Sequence, residues 1–260
     1  MPLSEILGEL YSLDGRNALV TGAGSGIGRA AALALAGSGA FVTLCGRRAA
    51  ALGETAGLIR ASGGNCEVRV CDVSSDADIE ELFSGYGPER KLDIFINNAG
   101  FTVHSGLCDT AAEDIDALIA TNLRGAILAL QHAARLMRAQ KSGVITVITS
   151  VNGLNSHPGQ GMYSVTKFGL QGAMKALASE LAEYGVRVNS IAPGAIDTAM
   201  NAAAFADAET LKAVNGKIPM GRVGLPEEIG RVAAAISSDV FSYMTGATVV
   251  VDGGMMLKHK

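Results

Sequence analysis

The chain has 260 residues, of which 48% are hydrophobic and 18% are charged, and its formal net charge at pH 7 is −4. This length suits a large α/β domain with a sizeable core, and the composition excludes disorder and a basic nucleic-acid-binding surface. No uninterrupted apolar run of about 18 residues and no secretory signal pattern occur, so we expect neither a membrane span nor export. The four cysteines lack metal-ligand spacing, which indicates a reduced, cytoplasmic protein with no metal site.

Residues 1–13 form an N-terminal extension ahead of the first strand. Leu3, Ile6, Leu7 and Leu10 recur there at helical spacing, which predicts a short amphipathic helix that packs on the body or on a neighbouring subunit.

Beyond the extension, short apolar runs alternate with longer helical patterns to the end of the chain. The predicted strands are Asn17–Thr21, Phe41–Cys45, Cys66–Cys71, Asp93–Asn97, Val144–Thr149, Val186–Ile191 and Thr248–Val251. The predicted helices are Gly26–Ala36, Ala49–Ala61, Asp76–Ser84, Ala111–Arg138, Tyr163–Tyr184 and Pro226–Ser237. This alternation predicts one domain over 1–260, with a Rossmann-type, doubly wound, seven-stranded parallel sheet and helices on both faces.

A glycine-rich loop follows the first predicted strand directly. It reads Thr21-Gly22-Ala23-Gly24-Ser25-Gly26-Ile27-Gly28 and leads into an Ala- and Leu-rich helical stretch. Such a loop binds a dinucleotide pyrophosphate, because glycines allow close approach and the helix N-terminus offers free N–H groups. We expect Gly22, Ser25, Gly26, Ile27 and Gly28 to contact the cofactor, although a tight turn without a ligand gives a similar string.

The end of the second predicted strand bears on the choice of cofactor. An acidic residue is typical there in chains that bind NAD, but this chain has Gly46 followed by Arg47 and Arg48. Guanidinium groups bind phosphate in a bidentate fork, so the sequence favours NADP(H) over NAD(H). In the alternative interpretation, Arg48 is a solvated first-turn residue.

Polar or turn-forming residues also follow the other predicted strands. Gly22, Asp72, Asn98, Ser150 and Pro193 each lie at or just after a strand end. Ligands bind beyond the carboxyl ends of parallel strands, so these residues should converge on one edge of the sheet.

Tyr163 and Lys167 stand four residues apart on a predicted helix and therefore share one face. A cation beside a phenol favours phenolate and lowers the tyrosine pKa from about 10. The Ser150 hydroxyl, at the end of the preceding strand, could hold a carbonyl or alcohol oxygen against that phenol. The three residues together predict a proton-transfer site.

The chain from Asp14 to Gly254 resembles the short-chain dehydrogenase/reductase family, in its branch of about 250 residues, because seven motifs fall in the order typical of that family. They are the glycine loop, Asp72-Val73, Asn97-Asn98-Ala99-Gly100, Asn122, Ser150, Tyr163-x-x-x-Lys167 and Pro193-Gly194-x-Ile196-x-Thr198.

The resemblance implies that Tyr163 is the general acid/base and that Ser150 orients the substrate oxygen. Lys167 would lower the tyrosine pKa and bond the nicotinamide ribose, and Asn122 would hold a water that links Lys167 to solvent.

The resemblance also implies further cofactor contacts. Asp72 and the Val73 N–H would bind the adenine, with an N-cap or turn role as the alternative for Asp72. The remaining expected contacts are Asn98, Ala99, Gly100, Pro193, Gly194, Ile196 and Thr198, of which Ile196 and Thr198 would touch the carboxamide. Ser25 departs from many NADP-using relatives, which carry a basic residue at that position.

The substrate is expected beside Ser150, Asn152, Tyr163 and Met200, under a lid formed by 197–217. His104 and His157 flank this region, and His157 has the context of a loop residue. The alanine-rich lid suggests a modest, largely apolar pocket but does not identify the substrate.

The sequence therefore predicts an NADP(H)-dependent oxidoreductase that interconverts a small ketone or aldehyde with an alcohol. One alternative is a 3-oxoacyl-(acyl carrier protein) reductase, which Lys141 supports and Tyr184, in place of a typical arginine, weakens. Another is an NAD-dependent sugar-acid or polyol dehydrogenase. A nucleotide-sensing protein without turnover would usually have lost Tyr163 or Lys167. The resemblance implies a homotetramer, or failing that a dimer, with close helix approach at Gly169, Gly172, Ala173 and Ala176.

Overall fold

The computed structural model of the chain describes residues 3–257, excluding the side chains of 3–5, 7, 203 and 204. The parts of the expected extension and domain that fall on 1–2 and 258–260 lie outside the described residues. The described strands form one seven-stranded parallel sheet in the order β3-β2-β1-β4-β5-β6-β7. They are β1 (Asn17–Thr21), β2 (Phe41–Gly46), β3 (Cys66–Val70), β4 (Ile94–Asn97), β5 (Gly143–Ile148), β6 (Val186–Pro193) and β7 (Thr248–Val251). The predicted fold class is confirmed.

Helices cover both faces of the sheet. They are α1 (Leu3–Tyr11), α2 (Gly26–Gly37), α3 (Ala49–Ala61), α4 (Asp76–Ser84), α5 (Ala112–Leu118), α6 (Ala126–Gln140), α7 (Gly161–Leu181), α8 (Ala202–Ala206), α9 (Ala208–Lys217) and α10 (Pro226–Ser237). One core packs α4, α6 and α7 against the sheet, and a second core packs α2, α3 and α10 against the opposite face.

The strand residues alternate between these two cores with the period of two that a strand imposes. In β1, Leu19 belongs to the first core, whereas Ala18 and Val20 belong to the second. In β4, Phe95 likewise faces the first core and Ile94 the second. Burial on both faces explains why the strands read as continuous apolar runs.

The strand order reverses at β1, which pairs with β2 on one side and with β4 on the other. Connections therefore leave in opposite directions from this point and open a crevice beyond the carboxyl ends of β1 and β4. The glycine loop after β1 and the segment after β4 both lie at that crevice.

The predicted long helix Ala111–Arg138 is interrupted in the structure. Residues Ile119–Gly125 adopt a π-helix between α5 and α6. A Cβ at Gly125 would lie 1.9 Å from the Val73 carbonyl oxygen, so only glycine allows the helix to pass this close to the end of β3. Periodicity over the whole stretch did not reveal the change of pitch.

The N-terminal extension contains α1, as its apolar spacing predicts, and α1 lies beside the turn Asp239–Phe241. Ile6, Leu10 and Tyr11 remain exposed. Within residues 3–257, no helix combines the length and the apolar character needed to cross a membrane.

Candidate active site

A cavity of about 550 Å³ opens at the carboxyl edge of the sheet. The residues predicted from sequence that line it are Gly22, Ser25, Gly26, Ile27, Gly28, Arg47, Arg48, Val73, Asn98, Ala99, Gly100, Ser150, Asn152, Tyr163, Lys167, Pro193, Gly194, Ile196, Thr198 and Met200. Asp72 and Asn122 are not among the lining residues. The convergence follows from the parallel sheet, since all strand ends point to this edge.

The glycine loop is held against the end of β4. Gly22 has a φ of +69°, and a Cβ at Gly28 would lie 2.2 Å from the Gly22 carbonyl oxygen. The Asn98 side chain donates to the Thr21 carbonyl at 2.8 Å, and the Thr21 hydroxyl accepts from the Asn98 and Ala99 N–H groups. The loop is therefore preformed, and its packing leaves no room for a Cβ at Gly22 or Gly28.

Helix α2 begins at this loop, and its N-cap residue Ser25 makes no side-chain bond to the first turn. The Ser25 hydroxyl instead accepts a hydrogen bond from Arg48 Nη2 at 3.3 Å. Arg47 Nη1 lies 3.9 Å from Asp72 Oδ2, and the Arg47 side chain is 66% exposed. Two guanidinium groups and a hydroxyl thus line the cavity near the end of β2, where the helix N-terminus adds positive potential.

Asp72 forms a turn after β3. Its Oδ1 accepts from the Ser74 N–H at 3.0 Å and from the Ser74 hydroxyl at 2.8 Å. Its own N–H donates to Asp78 at 2.8 Å. The carboxylate is thus engaged in the turn, and it is Val73 that the turn presents to the cavity.

Ser150, Tyr163 and Lys167 lie together at the floor of the cavity. Ser150 lies two residues after the end of β5, and the other two residues project from one face of α7. The Ser150 and Tyr163 side chains form a hydrogen bond. Lys167 is buried, donates from Nζ to the Ile148 carbonyl at 3.0 Å, and has Nζ 5.5 Å from the centre of the Tyr163 ring.

Burial dominates the ionisation of both α7 groups. It raises the pKa of Tyr163 to about 12, against the opposing effect of the Ser150 hydrogen bond. It also lowers the pKa of Lys167 to about 8. The protein groups alone therefore do not lower the tyrosine pKa as we expected, because Lys167 bonds the end of β5 rather than the phenol oxygen.

Asn122 lies in the π-helix and its side chain is fully buried. Its Oδ1 accepts from the Phe101 N–H at 3.0 Å, and its Nδ2 donates to the Phe101 carbonyl at 2.7 Å. The side chain thus fixes the loop after β4, and Phe101 lines the cavity in its place.

Three segments line the end of the cavity beyond Ser150. The loop after β4 contributes Thr102 and His104, and the loop after β5 contributes Asn152, which donates to Gln160. The third is the expected lid region, which folds into α8 and α9. Phe205, Val214 and Lys217 line the cavity from within the predicted lid segment, whereas Thr102, Gln160 and Met255 are lining residues that the sequence analysis did not predict. Gln160 lies three residues before Tyr163 and could have been found by that proximity, whereas Met255 arrives from the C-terminal turn without a local signal.

Comparison with known proteins gives consistent matches along nearly the whole chain. A family model described as enoyl-(acyl carrier protein) reductase matches residues 22–256. A tropinone reductase homologue from Arabidopsis thaliana is 39% identical over 246 residues, covering 94% of this chain and 91% of that protein. A 3-oxoacyl-(acyl-carrier-protein) reductase from Synechocystis is 38% identical over 253 residues, covering 95% and 100%.

Among solved structures, a candidate 2-deoxy-D-gluconate 3-dehydrogenase from Agrobacterium tumefaciens, with bound NADP, is similar with a TM-score of 0.90. It is 35% identical, and the similarity covers 96% of this chain and 99% of that one. The chain belongs to the short-chain dehydrogenase/reductase family.

As a short-chain dehydrogenase/reductase, the protein is a nicotinamide-dependent oxidoreductase that acts on CH–OH or C=O groups of small molecules. The preformed glycine loop and the N-terminus of α2 suit the pyrophosphate of such a cofactor, since both offer backbone N–H groups at close approach.

Proposed function

We propose that the protein is an NADP(H)-dependent oxidoreductase that interconverts a ketone or aldehyde with an alcohol. The observation that carries this proposal is the grouping of Ser150, Tyr163 and Lys167 at the floor of a cavity that also contains the glycine loop. The nicotinamide, when bound, supplies or accepts the hydride.

Tyr163 acts as the general acid in reduction. With a pKa raised to about 12, it is a protonated phenol at neutral pH and can donate to a developing alkoxide. Ser150, which hydrogen-bonds the phenol, holds the substrate oxygen beside it. In oxidation the same proton returns to Tyr163.

Lys167 is buried beside the tyrosine and lines the same cavity, so its ammonium would donate a hydrogen bond to the nicotinamide ribose of the cofactor. The Asn122 side chain acts by positioning the Phe101 loop, since both of its ends are bonded there.

For the cofactor, the proposed contacts are Gly22, Ser25, Gly26, Ile27 and Gly28 at the pyrophosphate. Arg47 and Arg48 hold a 2′-phosphate, and Val73, presented by the Asp72 turn, contacts the adenine. Asn98, Ala99, Gly100, Pro193, Gly194, Ile196 and Thr198 line the nicotinamide side. Segment 197–217, which contributes Thr198, Met200, Phe205, Val214 and Lys217 to the cavity wall, acts as a lid.

Two narrower functions are each supported by similar proteins. The Synechocystis relative supports a 3-oxoacyl-(acyl carrier protein) reductase. The Agrobacterium neighbour supports a sugar-acid dehydrogenase. Competition between a thioester, a sugar acid and a simple ketone in one turnover assay would rank these functions.

A screen of ketones and alcohols with NADPH, NADH and their oxidised forms tests the proposal. Tyr163→Phe should then lower kcat by about 10²-fold or more, because the phenol supplies the proton, while cofactor binding stays nearly unchanged. Tyr243→Phe, which alters a fully exposed tyrosine, is the matched control. Retention of more than about a tenth of the activity by Tyr163→Phe would contradict the assigned role.

A further inference from the structure

The end of the cavity beyond Ser150 carries an unbalanced set of charges. Its basic side chains are His104 and His157 from two loops and Lys217 from α9. Among the described residues that line the cavity there is no aspartate or glutamate. A site of this composition attracts anions and disfavours cations such as amines.

Of these three side chains, Lys217 is the aliphatic ammonium, and it is exposed at the wall of the cavity. It lies in the last turn of α9 and forms no ion pair with any carboxylate among the described residues. By contrast, Arg222, a few residues later, is paired with Glu228 at 2.7 Å.

Two acidic residues close to the ends of α9 are engaged in hydrogen bonds of their own: Asp207 is its N-cap, and Asp252 precedes Gly253, which packs against Ile218. Both oxygens of Asp252 accept hydrogen bonds from the backbone N–H groups of Gly254 and Met256. Asp207 accepts from the N–H and the hydroxyl of Thr210 at the start of α9. The charge of Lys217 is therefore left for a ligand or for solvent.

The rest of this end supplies hydrogen-bond donors and apolar walls. Gln160 accepts from Asn152 through Oε1, which leaves its Nε2 as a donor. Met200, Phe205 and Val214 line the lid side. A ligand with one anionic group and a short carbon chain fits this combination.

We propose that the physiological substrate is a carboxylate-bearing ketone or alcohol, an oxo acid or hydroxy acid, whose carboxylate binds Lys217 while its carbonyl or carbinol carbon lies at Ser150 and Tyr163. This inference rests on the proposed oxidoreductase function. Lys217 is then a specificity-determining residue that contacts the substrate, and a cationic amine such as a tropane ketone is a poor substrate.

Matched pairs of substrates test the proposal directly. We would measure kcat/KM for 3-oxobutanoate and 4-oxopentanoate against their methyl esters, with NADPH, which keeps the reacting carbonyl the same and removes the charge. The wild-type protein should prefer the acid of at least one pair, and Lys217→Met should lower the acid-to-ester ratio by about fivefold to tenfold. The loss should appear mainly in KM, and Lys217→Glu should lower the ratio further.

Lys212→Met is the matched control, because Lys212 is exposed on the same helix and does not line the cavity. It should leave the ratio at the wild-type value, and raising the ionic strength should reduce acid turnover in the wild type more than in Lys217→Met. Esters preferred by the wild type, or an unchanged ratio in Lys217→Met, would overturn the inference and leave the proposed function standing. Absence of turnover with every carbonyl compound and both cofactors would overturn both.

Discussion

Two arginines with different surroundings lie at the end of β2, where we propose that the 2′-phosphate binds. Arg48 is oriented by its bond to Ser25, whereas Arg47 is mostly exposed and only loosely paired with Asp72. The serine that departs from the family pattern is thus the group that positions Arg48. The sequence predicted all three residues as cofactor contacts, and the bond between Arg48 and Ser25 supports the proposal that they bind the 2′-phosphate together.

Changing Arg47 to Asp should weaken NADPH and improve NADH, because it removes an attraction and adds a repulsion to the 2′-phosphate. Loss of a charge-assisted hydrogen bond should cost roughly 10- to 100-fold in NADPH affinity, and the double change with Arg48 should cost more. The measurement is kcat/KM for both cofactors, with Arg60→Asp, at the far end of α3, as the control. A wild-type preference for NADH, or an unchanged ratio in the variants, would contradict NADP(H) specificity.

Lys167 illustrates what a sequence cannot provide at the residue scale. The spacing of Tyr163 and Lys167 predicts their shared helix face, but burial depth and the Ile148 carbonyl decide where the ammonium lies. Local spacing carries no information on desolvation. The predicted decrease of the Tyr163 pKa was therefore wrong for the protein without cofactor, in which burial raises this pKa.

The buried lysine should make stability depend on pH. Its pKa falls from 10.5 in the unfolded chain to about 8 in the folded one, so between these values only the unfolded chain binds the proton. Stability relative to Lys167→Met should therefore rise as pH increases from 8 to 10.5, by roughly 3 kcal/mol at about 1.4 kcal/mol per pKa unit.

Urea unfolding of both proteins at pH 7 and pH 10.5 would measure this difference. Lys175→Met removes an exposed lysine from the same helix and is the control. Its free energy of unfolding should differ from that of the wild type by the same amount at both pH values. If the free energy of unfolding of the wild type relative to Lys167→Met stays constant or falls as pH increases, Lys167 is not desolvated.

At the scale of elements, the strands and most helices were predictable because both sheet faces are buried and each strand is therefore an apolar run. β1, β7, α3, α4 and α10 have the predicted bounds. Two features were not predictable. The π-helix depends on the contact of Gly125 with Val73, and the engagement of Asp72 depends on its turn, and both are tertiary details.

Helices α2 and α10 approach closely at a glycine. A Cβ at Gly230 would lie 2.5 Å from the backbone of Ala30, which follows the glycine loop in α2. Gly230→Ala should therefore separate the helices and lower the free energy of unfolding by about 1–3 kcal/mol. It should also weaken cofactor binding, because α2 carries the loop.

Gly57→Ala is the matched control, since Gly57 is exposed inside α3 and a Cβ there meets nothing within 4 Å. It should raise the free energy of unfolding by about 0.5–1 kcal/mol, because alanine favours the helix. Thermal and urea unfolding of both variants would check this. If both alanine substitutions changed the free energy of unfolding in the same direction, the result would contradict the packing argument.

At the scale of the whole molecule, α7 keeps an exposed face of small and apolar residues. Val165 and Phe168 are each 46% exposed, and Gly172 and Ala176 continue the same face. Gly169 and Ala173, which the sequence analysis grouped with them, pack within the subunit instead, and Gly169 faces Leu123. Helical spacing alone does not separate these two sets, because inward and outward small residues look alike.

A homotetramer, with a dimer as the second choice, remains the prediction for the assembly. Phe168→Glu should place a charge in the exposed α7 face and shift the protein to smaller species in sedimentation velocity at micromolar concentration. Glu180→Gln, on the same helix but without a gain of charge, should leave the distribution as in the wild type. A wild-type monomer under these conditions would contradict the prediction.

The π-helix between α5 and α6 changes which side of the helical segment each following residue faces. Bonding from each residue to the fifth rather than the fourth places an additional residue in the turn, and one residue corresponds to about 100° of rotation in an α-helix. A single-residue deletion within Ile119–Gly125 that restored the α pitch would therefore rotate α5 against α6 and carry Asn122 away from Phe101. The number of residues in this helical segment is thus itself a requirement of the site. A deletion that removed one residue other than Asn122 would keep the Asn122 side chain but would break its bonds to Phe101, and so disrupt the loop that lines the cavity.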